Sequence, residues 1–236
     1  MASYIMKLSS STINYLKLTP VIALFFNISA SAMELNLGIQ LTTNNIDIRN
    51  ESEQDIAQMG NKLAISPTVS LLSKAYYFSE QSSFGAQFQL DGNLVKVDRQ
   101  KTNKSSQLTN LDTKISGYAL YAMPLFFYHF NRHQPDKWQI KAGVGMGLGY
   151  LNLSGNYQVT QSLDPEFGTI KNIKFSEFGE AVGVYLELKK GNHAFLLYNF
   201  SPYVNNSNYQ FQEHNAVFEY RYTINLNQLF TKMDLP

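Results

Sequence analysis

Thirteen consecutive residues, Trp138–Tyr150, read WQIKAGVGMGLGY and alternate with a period of two. Trp138, Ile140, Ala142, Val144, Met146, Leu148 and Tyr150 share one parity; Gln139, Lys141, Gly143, Gly145, Gly147 and Gly149 share the other. A helix repeats its apolar positions at i+3 and i+4, so this spacing specifies a strand. One face is apolar with an aromatic at each end, and the opposite face is small or polar. Such a strand suits lipid on one side and a narrow lumen on the other, with its ends at two interfaces. At about 3.3 Å per residue it is about 43 Å long. Tilted near 45° it rises about 30 Å, the thickness of one hydrocarbon core.

Hydrocarbon does not satisfy exposed backbone polar groups, so a spanning sheet must close on itself. The chain offers eight candidate strands: Glu34–Leu41, Lys62–Tyr77, Phe84–Val95, Ile115–Phe130, Trp138–Tyr150, Ser176–Leu188, His193–Tyr203 and Asn215–Leu226. Pro67 has no ladder donor, which predicts a bulge there in the second strand. Long polar connections (Thr42–Asn61, Lys96–Lys114, Asn152–Lys174, Val204–Glu213) alternate with short turns (Phe78–Ser83, Asn131–Lys137, Lys189–Asn192). This predicts an all-β, eight-stranded antiparallel up-and-down transmembrane barrel, with short turns at one rim and long loops at the other. The competing architecture is a soluble ligand-binding barrel with its apolar parity inward. Four alternate glycines on a solvent face would weaken such a strand for no gain, whereas in a narrow lumen they make room for large neighbours.

Residues 1–32 read as an export signal. Lys7 and Lys17 are the only charges before Glu34, Leu18–Phe26 is a short apolar run, and Ala30-Ser31-Ala32 offers small residues for cleavage. The domain expectation is therefore a signal peptide at 1–32, a barrel at 33–230 and a short tail at 231–236. The full chain carries a formal charge of +1, and removing Lys7 and Lys17 makes it negative, without the basic surplus of a nucleic-acid binder. There is no cysteine, which excludes disulfides and thiolate metal sites. No cofactor or metal is expected. Tyr150, Tyr157 and Tyr203 are expected in the interfacial belt at the long-loop end, and Trp138, Tyr77, Phe78, Tyr128 and Phe130 in the other.

With the apolar parity outward, the lumen receives Glu34, Lys74, Asp91, Lys141, Glu187, Glu219 and Arg221. Charges in a poorly hydrated lumen must pair. Matching heights above the turn predict a Lys141–Glu187 pair, and Glu34, Lys74, Glu219 and Arg221 a second cluster. An eight-stranded interior is just wide enough for side chains to fill, so these charges, with Tyr121, Tyr185 and Met123, are expected to form a polar plug. His129, His133, His193 and His214 form no metal-binding spacing. His214 with Ser207 or Ser176 and Glu213 is the candidate set for the alternative function, a lipid-modifying enzyme of the lipid A deacylase or acyltransferase type; a narrow pore is the other alternative. The balance of the residues favours a non-enzymatic barrel whose loops do the work. Glu51, Glu53 and Asp55 make the first long loop acidic and Lys96, Arg99, Lys101 and Lys104 make the second basic, suited to pairing with each other across the rim or to meeting anionic lipopolysaccharide or a host polymer.

The signal peptide ending SASA, the strand GVGMGLGY and the aromatic last strand VFEYRYTINL resemble those of small outer-membrane barrels, over Met33–Leu226. The similarity is to the OmpX/Ail group and to the transmembrane domain of outer membrane protein A. It implies a porin-like cell-envelope protein of a Gram-negative bacterium, exported by the general secretory route and inserted by the barrel-assembly machinery. It also implies a monomer among outer-membrane lipids and lipopolysaccharide, with a role in envelope integrity, adhesion or resistance to host defence. The family's final strand usually ends on an aromatic residue. Here the apolar parity stops at Leu226, Phe230 follows four residues later, and Thr231–Pro236 trails beyond.

Overall fold

The structure, a computed structural model, describes residues 33–43, 45–49, 55–60, 63–97, 111–160, 168–205, 209–212 and 217–226. Its strands are β1 (Glu34–Thr42), β2 (Asn45–Arg49), β3 (Asp55–Gly60), β4 (Ala64–Leu72), β5 (Tyr76–Tyr77), β6 (Phe84–Val97), β7 (Leu111–Phe130), β8 (Gln139–Val159), β9 (Ile170–Lys190), β10 (His193–Asn205), β11 (Tyr209–Gln212) and β12 (Val217–Asn225). Eight of them close a barrel in the order β1-β4-β6-β7-β8-β9-β10-β12, with β12 returning to β1. Every neighbouring pair is antiparallel. A row of paired residues starting at Gly38 reaches Glu177 on β9 through Thr68, Asn93, Ala119 and Leu151, and reaches Lys189 on β9 through Arg221 and Ala194. Those arrivals are twelve residues apart on β9, and this stagger in eight strands corresponds to a tilt of about 45°.

The short turns sit together at one rim. Gly191 (φ 58°) lies in the β9–β10 turn and Asn131 (φ 57°) begins the β7–β8 turn; both adopt the left-handed conformation that these residue types tolerate. Pro67 does not interrupt β4. It stays in register with Ile39 of β1, and the described ladder between β4 and β6 ends one residue away, at Thr68. The irregularity expected there lies further on: Leu72 pairs with Gln89 but Tyr76 with Ala86, a shift of one residue, and Leu72 and Ser73 are both buried. That bulge exchanges the two faces of the segment after it.

At the long-loop end β10 continues beyond the barrel into a small sheet, β10-β11-β2-β3. The sequence pattern assigns β2, β3 and β11 to connections. On the other side of the barrel β7, β8 and β9 run for 20, 21 and 21 residues, well past the length needed to span. Along them the polarity of the faces exchanges without a break in pairing, since Tyr150↔Phe178, Leu151↔Glu177 and Asn152↔Ser176 are consecutive. Up to Tyr150 the apolar side chains face outward, Val144 and Met146 among the most exposed. Beyond it Leu151, Leu153, Tyr157 and Val159 are buried inside, as are Val95, Val97, Ile115, Ile173 and Phe175 of the neighbouring strands. Asn152 is half-buried and Ser154 and Asn156 exposed on the outside.

The glycine face of β8 allows both close approach and filling. A Cβ on Gly143 or Gly147 would collide with the carbonyl oxygens of Phe126 and Ala122 on β7. Gly143 pairs with Tyr185 and Gly149 with Tyr121, and both tyrosines are buried in the lumen. A small residue beside a large one lets a narrow barrel close around its contents.

Candidate functional site

The lumen holds three ionic groups stacked from the short-turn rim upward. Nearest that rim, the Lys189 ammonium of β9 meets Glu34 of β1 at 2.8 Å. Next, Lys141 of β8 lies 3.4 Å from Glu187 of β9 and donates to Gln87 Oε1 of β6 at 3.3 Å, with its ammonium 5.1 Å from the Phe127 ring centroid. Higher still, Arg221 of β12 donates through Nε to Glu219 Oε1 at 2.7 Å, and through Nη2 to Glu219 Oε2 at 3.0 Å and Asp91 Oδ2 at 2.9 Å. Asp91 Oδ2 also accepts from Gln89 at 2.7 Å, and Glu219 Oε1 from Thr68 at 2.5 Å. Arg221, Glu219 and Asp91 are 2%, 0% and 8% exposed. A guanidinium presents its donors in a rigid fork that matches several carboxylate oxygens at once. Because β6 and β12 are separated by β1 and β4, this contact bridges across the lumen.

Six of the seven charges assigned to the lumen from sequence are found in these groups; Lys74 is not. The bulge after Leu72 reverses the faces, so Ser73 is buried and Lys74 exposed. Glu34 is met instead by Lys189, which the sequence pattern placed in a turn. Asp91, assigned to the lumen without a partner, completes the Arg221 group. Around them Tyr198 donates to Gln40 at 2.9 Å and Thr223 to Asn36 at 2.6 Å.

At the short-turn mouth Tyr77 and His129 share a hydrogen bond of 2.6 Å, and the Arg132 guanidinium sits 3.5 Å from the Tyr77 ring centroid while donating to the carbonyls of Ser79 and Ser82. Tyr77, expected in the outer belt, therefore faces the lumen, where it packs on Phe127; it too follows the bulge. The outer belt at this end consists of Phe78, Phe84, Tyr128, Phe130, Trp138, Phe195 and Tyr222, all exposed.

At the other end Tyr118, Tyr150 and Phe178 form a second girdle on the outer face, with ring centroids 6.2 Å and 4.8 Å apart. The Tyr150 hydroxyl pairs with Ser176 at 2.6 Å. Tyr157, expected in this girdle, is buried inside because it lies on the inward parity beyond the exchange of faces; the Tyr203 side chain lies outside the described residues. Above the girdle the outer face turns basic and polar. Lys96, Ser116, Ser154 and Lys174 are paired in one row across β6, β7, β8 and β9; Lys114, Asn156 and Asn172 form the next row up. All seven are exposed.

Of the hydrolytic candidates, Ser176 lies on this outer face, while Ser207, Glu213 and His214 lie outside the described residues. So do the loop charges Glu51, Glu53, Arg99, Lys101 and Lys104. Asp55 opens β3 and Lys96 lies in β6. Among the described residues no group of three or more His, Asp or Glu side chains is arranged to hold a metal ion.

No protein-family model and no curated protein matches the sequence. Among solved structures the chain is similar to Ail, the attachment invasion locus protein of Yersinia pestis, at 13% identity and a TM-score of 0.40, covering 82% of this chain and 99% of that one. Neisserial surface protein A is similar at 12% identity and a TM-score of 0.41, covering 81% and 97%. The translocator domain of the autotransporter NalP from Neisseria meningitidis is similar at 9% identity and a TM-score of 0.31, covering 91% and 95%.

Proposed function

We propose that this chain is a small outer-membrane barrel of a Gram-negative envelope that acts as a surface interaction protein, with a sealed lumen and its working parts above the outer girdle. In this reading residues 1–32 are the export signal, 33–230 form the barrel inserted by the barrel-assembly machinery, and 231–236 are a short tail. The observation that carries the proposal is the exchange of faces at Tyr150 along β8. From Ile140 to Tyr150 the apolar side chains face outward, as hydrocarbon requires; from Leu151 to Val159 they face inward, as water requires. About ten residues at a 45° tilt rise about 24 Å, close to the apolar band of such barrels. The strands therefore rise past the membrane as a folded platform with its own apolar interior.

The sealed lumen rests on the three ionic groups and on the buried side chains of Tyr121, Tyr185 and Met123. The test is reconstitution of the refolded protein in a planar bilayer together with loop replacement in cells. The reading requires no stepwise conductance, and loss of surface binding when 98–110 or 161–167 is exchanged for a short Gly/Ser linker while heat-modifiable migration on gels is kept. Discrete conductance steps would overturn the seal.

A further inference from the structure

Along the strands the outer face between the two aromatic girdles is aliphatic or aromatic, and among the described residues Asn199 of β10 is its one carboxamide. Asn199 is exposed, Tyr198 before it is buried, and Leu197 before that is exposed, so the amide stands on the outward parity. It pairs with Val184 of β9, which pairs in turn with Val144 of β8. Both valines are exposed where the wall faces hydrocarbon. Among the described residues no hydrogen bond within the barrel reaches the Asn199 side chain. Glu180, also exposed on β9, is a different case: it lies two residues from Phe178, at the girdle, where water solvates its carboxylate.

Depth decides what can meet this amide. Val184 is six residues below Phe178 on β9, about 14 Å lower at a 45° tilt. The paired row climbs toward β10 by about 3 Å per strand, which leaves Asn199 about 10 Å beneath Phe178. The apolar band of such barrels is about 25 Å tall, so the amide lies inside it. An amide holds two N–H donors and a carbonyl acceptor, and leaving them unmet in an apolar medium is unfavourable. Lipid tails offer neither donor nor acceptor. A partner must bring both to the same depth.

A second copy of this chain does so. Two barrels in one membrane, related by a two-fold axis along the membrane normal, present the same patch to each other with every residue at its own depth. Asn199 then meets the partner's Asn199, and each amide donates an N–H to the other's carbonyl. Walls whose strands tilt by about 45° cross at about 90°, so the contact is compact and centres on few side chains. Those around Asn199 suit close approach, since Val182 and Val184 are short, branched and exposed. Small side chains and a hydrogen-bonding amide drive association in a bilayer, where burying apolar surface gains nothing over lipid. We infer that the outer face of β9–β10, centred on Asn199 with Val182, Val184 and Leu197 around it, is a homodimer interface within the membrane. The inference rests on the membrane placement proposed above and departs from the monomer that the resemblance implies. It sets two platforms side by side on one surface.

The test uses the full refolded protein. Sedimentation equilibrium in density-matched micelles is expected to show a reversible dimer, about tenfold weaker in N199L and recovered in N199Q, which keeps the carboxamide. The chain has no cysteine, so a single introduced thiol reports its own contacts. In phosphatidylcholine vesicles V184C is expected to cross-link through a short bismaleimide, and to stop doing so when combined with N199L. L94C, exposed on β6 at the far side of the barrel, is expected to stay monomeric. Each variant's folding is checked by heat-modifiable migration. A wild-type protein that is monomeric in both micelles and vesicles would overturn the second copy as occupant, in favour of a different membrane protein. N199L dimerising as tightly as wild type would overturn the amide as the centre of the contact, and equal cross-linking of V184C and L94C would overturn the face. All of these outcomes concern a protein that has inserted. A protein that does not insert fails the barrel reading instead, so the two failures are distinguishable.

Discussion

The two halves of strands β7–β9 obey opposite rules. Between Ile140 and Tyr150 the outside of β8 is apolar and the inside is glycine and lysine; between Leu151 and Val159 the inside is apolar and the outside is serine, asparagine and glutamine. Backbone pairing is continuous through the change, so no bulge has turned the strand over. What changes is the solvent. A strand in hydrocarbon exposes its apolar face and hides its polar one, and the same strand in water must reverse the arrangement. One alternating strand reports its environment by phase, and Tyr118 and Tyr150, with Phe178 packed against Tyr150, mark the boundary because a tyrosine ring with its polar tip tolerates both sides.

The comparison is broken most severely from within the lower half. Arg221→Leu leaves the buried Asp91 and Glu219 facing each other with Gln89 and Thr68 as their remaining side-chain partners, and is expected to cost about 3–5 kcal/mol. The measurement is urea unfolding in lipid vesicles. A cost below about 1 kcal/mol would mean that water reaches the group. The upper half should behave instead like a water-soluble core. Leu153→Ala removes a side chain that is 1% exposed and is expected to cost about 2–5 kcal/mol. Leu148→Ala, on the same strand but facing outward, trades a lipid contact for another lipid contact and should cost far less. Equal penalties in the same assay would remove the boundary from between them.

The lower half was legible in the sequence because a single environment gives a single phase. Trp138–Tyr150 keeps its apolar parity throughout, and the expected pairing of Lys141 with Glu187 follows from the faces of two adjacent strands and the equal heights of the two residues above the short-turn rim. The upper half carried an equally regular signal, Leu151, Leu153, Tyr157 and Val159, but in the opposite phase, and a pattern read in one phase stops at the switch. Ile173 and Phe175 were lost for the same reason. Lys74 shows a different limit: Ser73-Lys74-Ala75 has no alternation, so nothing in it announces the bulge that turns Lys74 outward and Tyr77 inward. Arg221 shows a third, since its contact with Asp91 spans the barrel across two intervening strands and depends on a closure that no local pattern specifies.

Within the lower half, depth and exposure grade the penalties. Val144→Arg places a guanidinium on the outer face near mid-height and is expected to cost about 2–4 kcal/mol, read as slowed insertion and a lower urea midpoint. Tolerance of that change would take the outer face of β8 out of lipid. Glu34→Gln is milder: the Glu34–Lys189 pair lies at the short-turn mouth with side chains 35% and 21% exposed, and a partly solvated pair is worth about 1 kcal/mol or less. A loss as large as that of Arg221→Leu would place the mouth in the dry interior as well.

The smallest effect sharpens the comparison most. Ser154→Arg introduces the same side chain as Val144→Arg, on the same strand and the same face, ten residues further along. Ser154 is exposed and pairs with Ser116 and Lys174, so the new guanidinium enters water beside one lysine. An exposed substitution of this kind stays within about 0.5 kcal/mol. The difference between the two arginine variants cancels the side chain's intrinsic strand preference and leaves the cost of taking its charge out of water. Moving the arginine through Met146, Leu148, Tyr150 and Asn152 should then trace that cost falling from mid-height toward zero, with the fall centred on the Tyr150 girdle. A profile that stayed flat would mean that the two halves share one solvent and that the exchange of faces has a cause other than the membrane.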